Sequence, residues 1–358
     1  MLRAFQERVP DTTSMMARGA HPLPDDESVR SGLEALAFAR EARERGGELV
    51  LLLSGGASAM LAAPAGGATL ALKRDVTRRL LAAGAPIHDL NAVRKHLSAL
   101  KGGRLGIDVS CTTFALSDVT DDDPASIGSG PAVGDPSTSD DARRVLERHG
   151  IARDVPGAMA AIDRCGETPK PGAPALARSR FVLIGGRRTA MDGVAAAALA
   201  RGHATIVFDE AITGDASAAG AAFARRAQAA AARIGGAAVV IARGGTPVRV
   251  RGRGTGGRNQ EFALGAALAA AQAFSPADAG PSFAIAAFGT DGIDGNSAAA
   301  GAIADRSTMA RARDAGLHPR AVLEANDTYP FFERLGNLIV TGPTGTNVGD
   351  VFMAIMGA

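Results

Sequence analysis

The sequence predicts an α/β fold in two domains, on three observations. Short apolar runs, read as buried strands, alternate with longer helical patterns along the 358 residues. Nearly every such run ends in a polar, glycine-rich loop. The alternation breaks at residues 166–177, GETPKPGAPALA, and then restarts, so this Pro- and Gly-rich stretch reads as a linker. A chain of this length can enclose two sizeable cores.

Composition narrows the classes further. Charged residues make up 21% of the chain, net charge is +2, and there is one Tyr and no Trp. Neither a polyanion-binding face nor a base-stacking surface is expected, and so no nucleic-acid partner. No apolar run approaches a membrane span, and the amino end, MLRAFQERVPDTTSMM, has acids and a proline where a signal peptide has its apolar segment. Cys111 and Cys165 are far apart and fit ordinary thiols in a reducing compartment. A cytoplasmic protein without membrane contacts is the expectation.

Residues 1–24 read as irregular. Asp25 to Arg45 is a helix, with Val29, Leu33, Leu36 and Ala37 at helical spacing. Leu49 to Leu53 is a buried strand that ends in Ser54-Gly55-Gly56-Ala57-Ser58, followed by a helical stretch, Ala59 to Ala63. A strand, a glycine turn and a helix start present free N–H groups to an anion. A tight turn using glycine for packing alone is equally compatible. Leu70 to Ala83 and Ile87 to Leu100 are further helices, the second carrying Arg94, Lys95 and His96 before Lys101-Gly102-Gly103-Arg104. Cations at a helix end before a Gly-Gly stop can bracket a phosphate, or simply form a solvated face. His96, alone, reads as a packed or exposed side chain. The strand Thr112 to Leu116 runs into Ser117-Asp118 and a long polar loop to Pro131, and long ordered loops tend to be functional. Asp140 to His149 is a helix.

Beyond residue 177 come a strand (Phe181 to Ile184), Gly185-Gly186-Arg187-Arg188 and an alanine-rich helix to Ala200. Then follow a strand (His203 to Phe208), a helix (Ala216 to Ile234), a strand (Ala237 to Ala242) and a short exposed strand (Val248 to Arg251). Gly252, Gly254 and Gly257 match G-x-G-x-x-G literally. No buried strand precedes them, and the acid about 20 residues on, Asp278, lies in a loop, so a phosphate-wrapping loop is favoured over a dinucleotide fingerprint. Arg258, beside the N–H groups that open a helix through Ala273, is placed to meet a phosphoryl group, with Asn259, Gln260 and Glu261 adding polarity. The strand Phe283 to Phe288 opens into Gly289–Gly295, where Asp291 and Asp294 suit a divalent metal or a proton acceptor. A helix cap accounts for one of these acids but not both, and their spacing is not that of an EF-hand. Asn296 and Ser297 are read as starting a small-residue helix. A strand (Asn337 to Val340), a Gly- and hydroxyl-rich loop (Thr341 to Asp350) and a short apolar helix (Val351 to Met356) close the chain.

These residues resemble the glycerate 2-kinase family, whose members carry a carboxyl-terminal MOFRL domain. The matching segments are Gly19–Asp25, Ser54–Ser58, Val93–Leu105, Leu116–Val119, Gly256–Glu261, Gly289–Gly295 and Thr341–Asn347, in the family's order over almost the whole chain. The resemblance implies a three-layer Rossmann-like sandwich about a mainly parallel sheet over residues 1–177. A smaller MOFRL-type α/β domain follows over 178–358, with the active site in the cleft between the two. It implies ATP- and Mg²⁺-dependent phosphorylation of D-glycerate at its 2-hydroxyl, by a monomer or homodimer. Arg258 would stabilise the transferring phosphoryl group. Asp291 would accept the hydroxyl proton or hold the metal, with Asp118 as a second metal carboxylate. Substrate and nucleotide would be held by Ser54, Gly55, Gly56, Ser58, Arg94, Lys95, Lys101, Asp118, Gly257, Asn259, Gln260, Glu261, Asp294, Thr344 and Asn347.

This chain departs from the family's pattern in places. Family members begin earlier, with a strand, a glycine turn and a lysine regarded as catalytic, and no residue here matches that lysine. Ala57 stands for a frequent Gly, Gly244-Gly-Thr-Pro247 lacks a usual Glu, and Gly185-Gly-Arg187 replaces Gly-Ser-Asn. Two alternatives follow: an NAD(P)H-dependent hydroxypyruvate reductase, a label long attached to relatives, or a catalytically impaired protein that binds glycerate or nucleotide without turnover.

Overall fold

The computed structural model describes residues 14–119, 121–273 and 283–357. The readings made for residues 1–13 and for Asp278 lie outside them. The chain divides into two compact units, residues 1–115 with 122–184, and residues 116–121 with 185–358.

In the first unit, α1 (Asp26–Arg45) starts at a capping box. The Asp25 carboxylate accepts from the Ser28 N–H, and the Ser28 hydroxyl accepts from the Asp25 N–H. The helix stops at Gly46 in the left-handed conformation. Strands β1 (Glu48–Leu53), β2 (Ser110–Leu116) and β3 (Ser179–Gly185) form one sheet in that order. β1 and β2 run parallel from Glu48↔Ser110 to Leu53↔Ala115. β3 follows β2 in the same direction, from Cys111 N–H on Arg178 O to Ser117 N–H on Gly185 O. One-turn α2 (Ala57–Met60) follows β1. Helices α3 (Leu70–Ala82), α4 (Ile87–His96), α5 (Ser139–Arg148), α6 (Ile151–Asp154) and α7 (Pro156–Cys165) gather round a core that includes Val76, Leu80, Val93, Leu146 and Ile162.

Residues 166–177 are not a loose linker. Thr168 is buried and its hydroxyl donates to Asp135, the Asp135 N–H donates to Pro169 O, and Glu167 accepts from the Ser139 N–H. Pro and Gly here report a lack of periodic structure, not a lack of packing. β3, beyond them, completes the first sheet.

The second unit comprises α8 (Arg187–Leu199), β4 (Ala204–Ile212), α9 (Ala216–Ile234), β5 (Ala238–Gly244), α10 (Arg258–Ala273), β6 (Phe283–Gly289) and β7 (Gly301–Asp305). It continues with α11 (Thr308–Asp314), α12 (Pro319–Ala325), α13 (Thr328–Arg334), β8 (Leu338–Ile339) and β9 (Asp350–Met356). Its sheet has the order β4-β5-β9-β6-β7-β8, parallel only between β4 and β5 and antiparallel at every later pairing. Phe262 of α10 stacks on Phe352 of β9 at 3.9 Å, with Phe223 of α9 against both. α9 and α10 approach closely because Gly220 and Gly265 face each other's partner backbone, where a Cβ would overlap Phe262 and Ser217.

Three sequence expectations change here. Val351–Met356 is not a terminal helix but most of β9, a central strand paired on both edges. A six-residue apolar run carries no period to tell strand from buried helix. Asn296 and Ser297 open no helix: the chain turns through an Asp294↔Ser297 bridge and enters β7. The small residues there serve close strand approach, since a Cβ at Gly301 would overlap Ala287 O. Val248–Arg251 forms no strand. Among the described residues no helix is long and apolar enough to cross a membrane.

Candidate functional site

β9 enters the sheet between the carboxyl ends of β5 and β6, with Asp350 facing Gly244 on one side and Gly289 on the other. Both neighbours are glycine, and the Asp350 side chain is 1% exposed. It takes Arg258, the first residue of α10, side-on: Nε lies 2.6 Å from Oδ2, and Nη2 donates to Oδ1 at 3.0 Å. Paired N–H donors match a carboxylate's geometry as well as its charge. Burial alone would lower the Arg258 pKa, but Asp350, then Asp294 and Asp291, outweigh it and raise it. The guanidinium itself is half-exposed, so its remaining donors are free to meet a ligand.

Asp294 lies behind this pair. Its carboxylate accepts the backbone N–H groups of Asn259 (3.0 Å) and Gln260 (2.9 Å), while Asn259 Nδ2 bridges it to Asp350 at 3.2 Å on each side. Asp294 is therefore a helix cap, as one acid of the pair could be, but it caps α10, which precedes it in sequence by more than thirty residues. Burial, partly offset by those backbone bonds, pushes its carboxyl up to about 6. Arg258 was expected to work beside open N–H groups at the helix start. Two of those groups, the N–H of Asn259 and that of Gln260, are already taken by Asp294.

The glycine loop is likewise filled by protein. Gly252 packs on Ala325, Gly254 on Asp327, Gly256 on Thr328 and Gly257 on Asp294, each where a Cβ would overlap. Asn326 holds the strand of loop by accepting the N–H groups of Arg251 and Gly252, and donates to Glu261. The phosphate-wrapping expectation for these glycines is replaced by one of tight internal packing. Gln260 and Glu261 turn inward, Gln260 onto Ser297 and Glu261 onto Asn326. Burial raises the Glu261 carboxyl.

Asp291 stands at the end of β6, half-buried, its Oδ1 accepting the Ile293 N–H. Its loop interlocks with residues 341–349. Thr344 donates its N–H to Asp291 O and its hydroxyl to Thr290 O, and Thr290 donates both its N–H and its hydroxyl to Gly349 O. Asn347 Nδ2 reaches Asp118 Oδ2 at 3.3 Å, while buried Arg187 donates to Asp118 O and lies against Gly349. Arg258, Asn259, Asp291, Asp294, Thr344, Asn347 and Asp118 are thus brought together in the second unit. Among the described residues, no three Asp, Glu, His or Cys side chains gather closely enough to form a metal cage.

In the first unit, Ser54 is exposed at the end of β1, and Gly55 and left-handed Gly56 lead into α2. Ser58 Oγ lies 2.7 Å from Ser129 Oγ, which donates to Asn91. Lys95 is buried in an ion pair with buried Asp135 at 3.0 Å, so it faces protein. Lys101 is fully buried and donates to Gly128 O at 3.3 Å. Arg94 is partly buried. His96 is a packed core side chain between Ala92 O and Glu167. Burial would raise Glu167, but Lys170, His96 and two backbone N–H groups hold it well below the usual carboxylate range.

Sequence reasoning missed Asp350 and Lys73. Asp350 immediately precedes the apolar run read as a helix; read as a strand, that run puts the acid at a sheet end. Lys73 shares the buried face of α3 with Val76, Thr77 and Leu80, a lysine on an apolar stripe.

Fold and site together define a two-unit α/β protein with an arginine–carboxylate centre at the end of a mixed sheet. A family model described as a domain of unknown function (DUF4147) matches residues 4–162, and that of the MOFRL family matches residues 238–350. The glycerate 2-kinase of Pyrococcus horikoshii is 36% identical, covering 94% of this chain and 76% of its own. The crystal structure of the Thermotoga maritima glycerate kinase superposes with a TM-score of 0.82 at 35% identity, covering 94% of this chain and 80% of that one. A protein of Agrobacterium vitis with a provisional hydroxypyruvate reductase name is 39% identical, covering 99% of this chain and 80% of its own. The chain belongs to the glycerate 2-kinase family.

Proposed function

We propose that this chain transfers the terminal phosphoryl group of ATP to the 2-hydroxyl of D-glycerate, forming 2-phosphoglycerate. The observation that carries the reading is the half-exposed Arg258 guanidinium held side-on by buried Asp350, with Asp291 in the adjoining loop. Phosphoryl transfer asks a protein mainly for positioning and for charge placed where the transition state needs it. Arg258 meets the charge spread over the phosphoryl oxygens, and Asp350 keeps it oriented without neutralising its outer face. Asp291 accepts the hydroxyl proton or holds the metal.

Mg²⁺ fits these residues in one way. It is commonly held by one or two carboxylates together with phosphate oxygens and water, rather than by an all-protein cage. Asp118 and Asp291, both tied to the 341–349 loop, offer that donor set. When bound, the ion neutralises charge on the β- and γ-phosphates. The hydroxypyruvate reductase name of some relatives finds no support in the glycine loop, whose glycines are occupied by protein.

The test is incubation of the 358-residue chain with D-glycerate, ATP and Mg²⁺, following ADP release and identifying the product. Formation of 2-phosphoglycerate is expected. Formation of 3-phosphoglycerate would overturn the regiochemistry, and NADH-dependent reduction of hydroxypyruvate without ADP release would overturn the reading altogether.

A further inference from the structure

We infer that Arg187 is a positioning residue: it holds the Asp118 segment and the Gly349–Asp350 end of the terminal loop as one piece, and so sets where the Asp118 carboxylate stands relative to the Arg258 guanidinium. The inference rests on the glycerate kinase reading for the reaction that is served, and on this chain's own side chain for the role.

Arg187 opens α8 just after β3 ends, and the residue is only 6% exposed. A charged side chain is rarely buried so far unless the fold gives it partners. Its Nη2 donates to the main-chain carbonyl of Asp118 at 2.8 Å. Its stem lies across Gly349, where an added Cβ would overlap Nε and crowd Cγ and Cδ. Gly349 is also left-handed, at φ 86°, so two independent constraints keep that position a glycine. From there the contacts close into a ring. The Gly349 N–H donates to Asn347 Oδ1 at 3.0 Å, and Asn347 Nδ2 returns to Asp118 Oδ2 at 3.3 Å. Three stretches of chain, distant in sequence, therefore meet at one guanidinium.

Each side of the ring carries something the proposed reaction uses. Asp118 offers a carboxylate, and the Ser117 N–H before it is fixed on Gly185 O at 2.9 Å. Gly349 O accepts both the N–H and the hydroxyl of Thr290, the residue before Asp291, and the residue after Gly349 is Asp350, which holds Arg258. The two arginines thus divide the work. Arg258 is half-exposed and presents donors outward, whereas Arg187 is turned into the protein and serves the main chain. A guanidinium suits that duty because it is flat and carries donors on more than one edge, so it can lie over a glycine and still reach a carbonyl. In the sequence Arg187 stands out only as a departure from a polar Gly-Ser-Asn pattern. The ring gives that departure a purpose: it ties Asp118 to the loop that orients Arg258.

Steady-state kinetics and amide hydrogen exchange on the full chain test this with Arg187→Met, which keeps a stem over Gly349 and removes the donors. Misplacing reacting groups by about an ångström can cost roughly a hundredfold, so kcat should fall at least about tenfold, with KM for D-glycerate and for ATP changed less than about threefold. Arg187→Lys, which keeps a donor for Asp118 O, should recover about threefold or more of that loss. Exchange in Arg187→Met should quicken at least about tenfold at the amides of Ser117, Thr290 and Gly349, whose hydrogen bonds adjoin the ring, and stay unchanged in α9 and α10. A kcat within about twofold of the unaltered protein overturns the inference, as does a rise in KM alone, which would make Arg187 a ligand contact. Lys no better than Met, or exchange quickened throughout the second unit, assigns the loss to general loosening and overturns it too. Should Arg187→Met not fold, Arg187→Lys is compared with the unaltered protein: a fall of about threefold in kcat at unchanged KM sustains the role, and full activity ends it. Should the unaltered chain show no turnover, the kinase reading falls by itself and exchange alone judges the tie. Quickened exchange confined to those three amides then sustains it, and unchanged exchange there overturns it.

Discussion

Asp350 and Arg258, 92 residues apart in sequence, form a side-on ion pair in which the acid is 1% exposed and the guanidinium about half. The asymmetry gives the two residues different duties: the acid is committed to the protein, and the arginine is oriented but still available. Replacing Asp350 by Asn keeps the shape and removes the charge that holds Arg258. A fall of roughly 10²-fold in kcat is expected, from misplacement of the catalytic charge, with KM for D-glycerate changed little. Steady-state kinetics check this, and kcat within twofold of the unaltered protein would refute it. Replacing Arg258 by Met strands a buried carboxylate as well. It should cost about 1–3 kcal/mol in urea unfolding, less than a fully buried pair because the guanidinium is half-exposed.

Asp294 gives the stability a definite pH dependence. Its folded pKa of about 6 lies above the ordinary carboxyl value of 3.8, chiefly through burial. Between these values the folded state holds a proton that the unfolded state has released. Its contribution to stability therefore falls as pH rises from about 4 to 6 and stays at the lower level above that. Urea unfolding of the unaltered protein and of Asp294→Asn across this range should show the difference between them narrowing or reversing in that direction. A constant difference would contradict it.

Lys73 acts in the opposite window. Burial and Arg94 hold its folded pKa at about 7 against 10.5 when unfolded. From about pH 7 to 10.5 the unfolded state carries the extra proton, so stability rises with pH, by at most about 1.4 kcal/mol per unit. Lys73→Met should flatten that rise when unfolding free energies are compared at pH 7 and 9. An identical slope in both proteins would count against the buried, unpaired lysine.

Gly257 is needed for a close approach, not for flexibility. A Cβ there would overlap both the main chain and the carboxylate of Asp294. Gly257→Ala should destabilise the fold by about 1–3 kcal/mol, as overpacking does, and lower kcat by shifting the cap on α10 that carries Arg258. As a control, Gly84→Ala, at a left-handed turn with open space around it, should lose a little stability and no activity. Equal activity in the two variants would disprove the packing role.

Much of the fold was legible because its signals are local. The helix ending at Arg45 and the span of α9 from Ala216 to Ile234 both follow from residues within a turn or two of one another. The errors share one cause. Val351–Met356 and the residues after Asn296 are short, small or uniformly apolar, so nothing periodic marks them, and their state is set by strands far away in sequence. The Pro- and Gly-rich 166–177 stretch misled for a related reason, because its order comes from partners such as Asp135 and His96.

The sequence by itself determined the alternation of strands and helices, the family resemblance, and the polar loops holding Arg258 and Asp291. Tertiary structure alone decided what each charge does. It gave Asp294 to a helix start behind it in the chain, placed unsuspected Asp350 against Arg258, satisfied Lys95 with Asp135, and buried Lys73 and Lys101 against backbone carbonyls. The physical reason is that a helix or strand is recorded in neighbouring residues. The fate of a charge depends on burial and on a partner tens of residues distant, and only the folded chain brings those together.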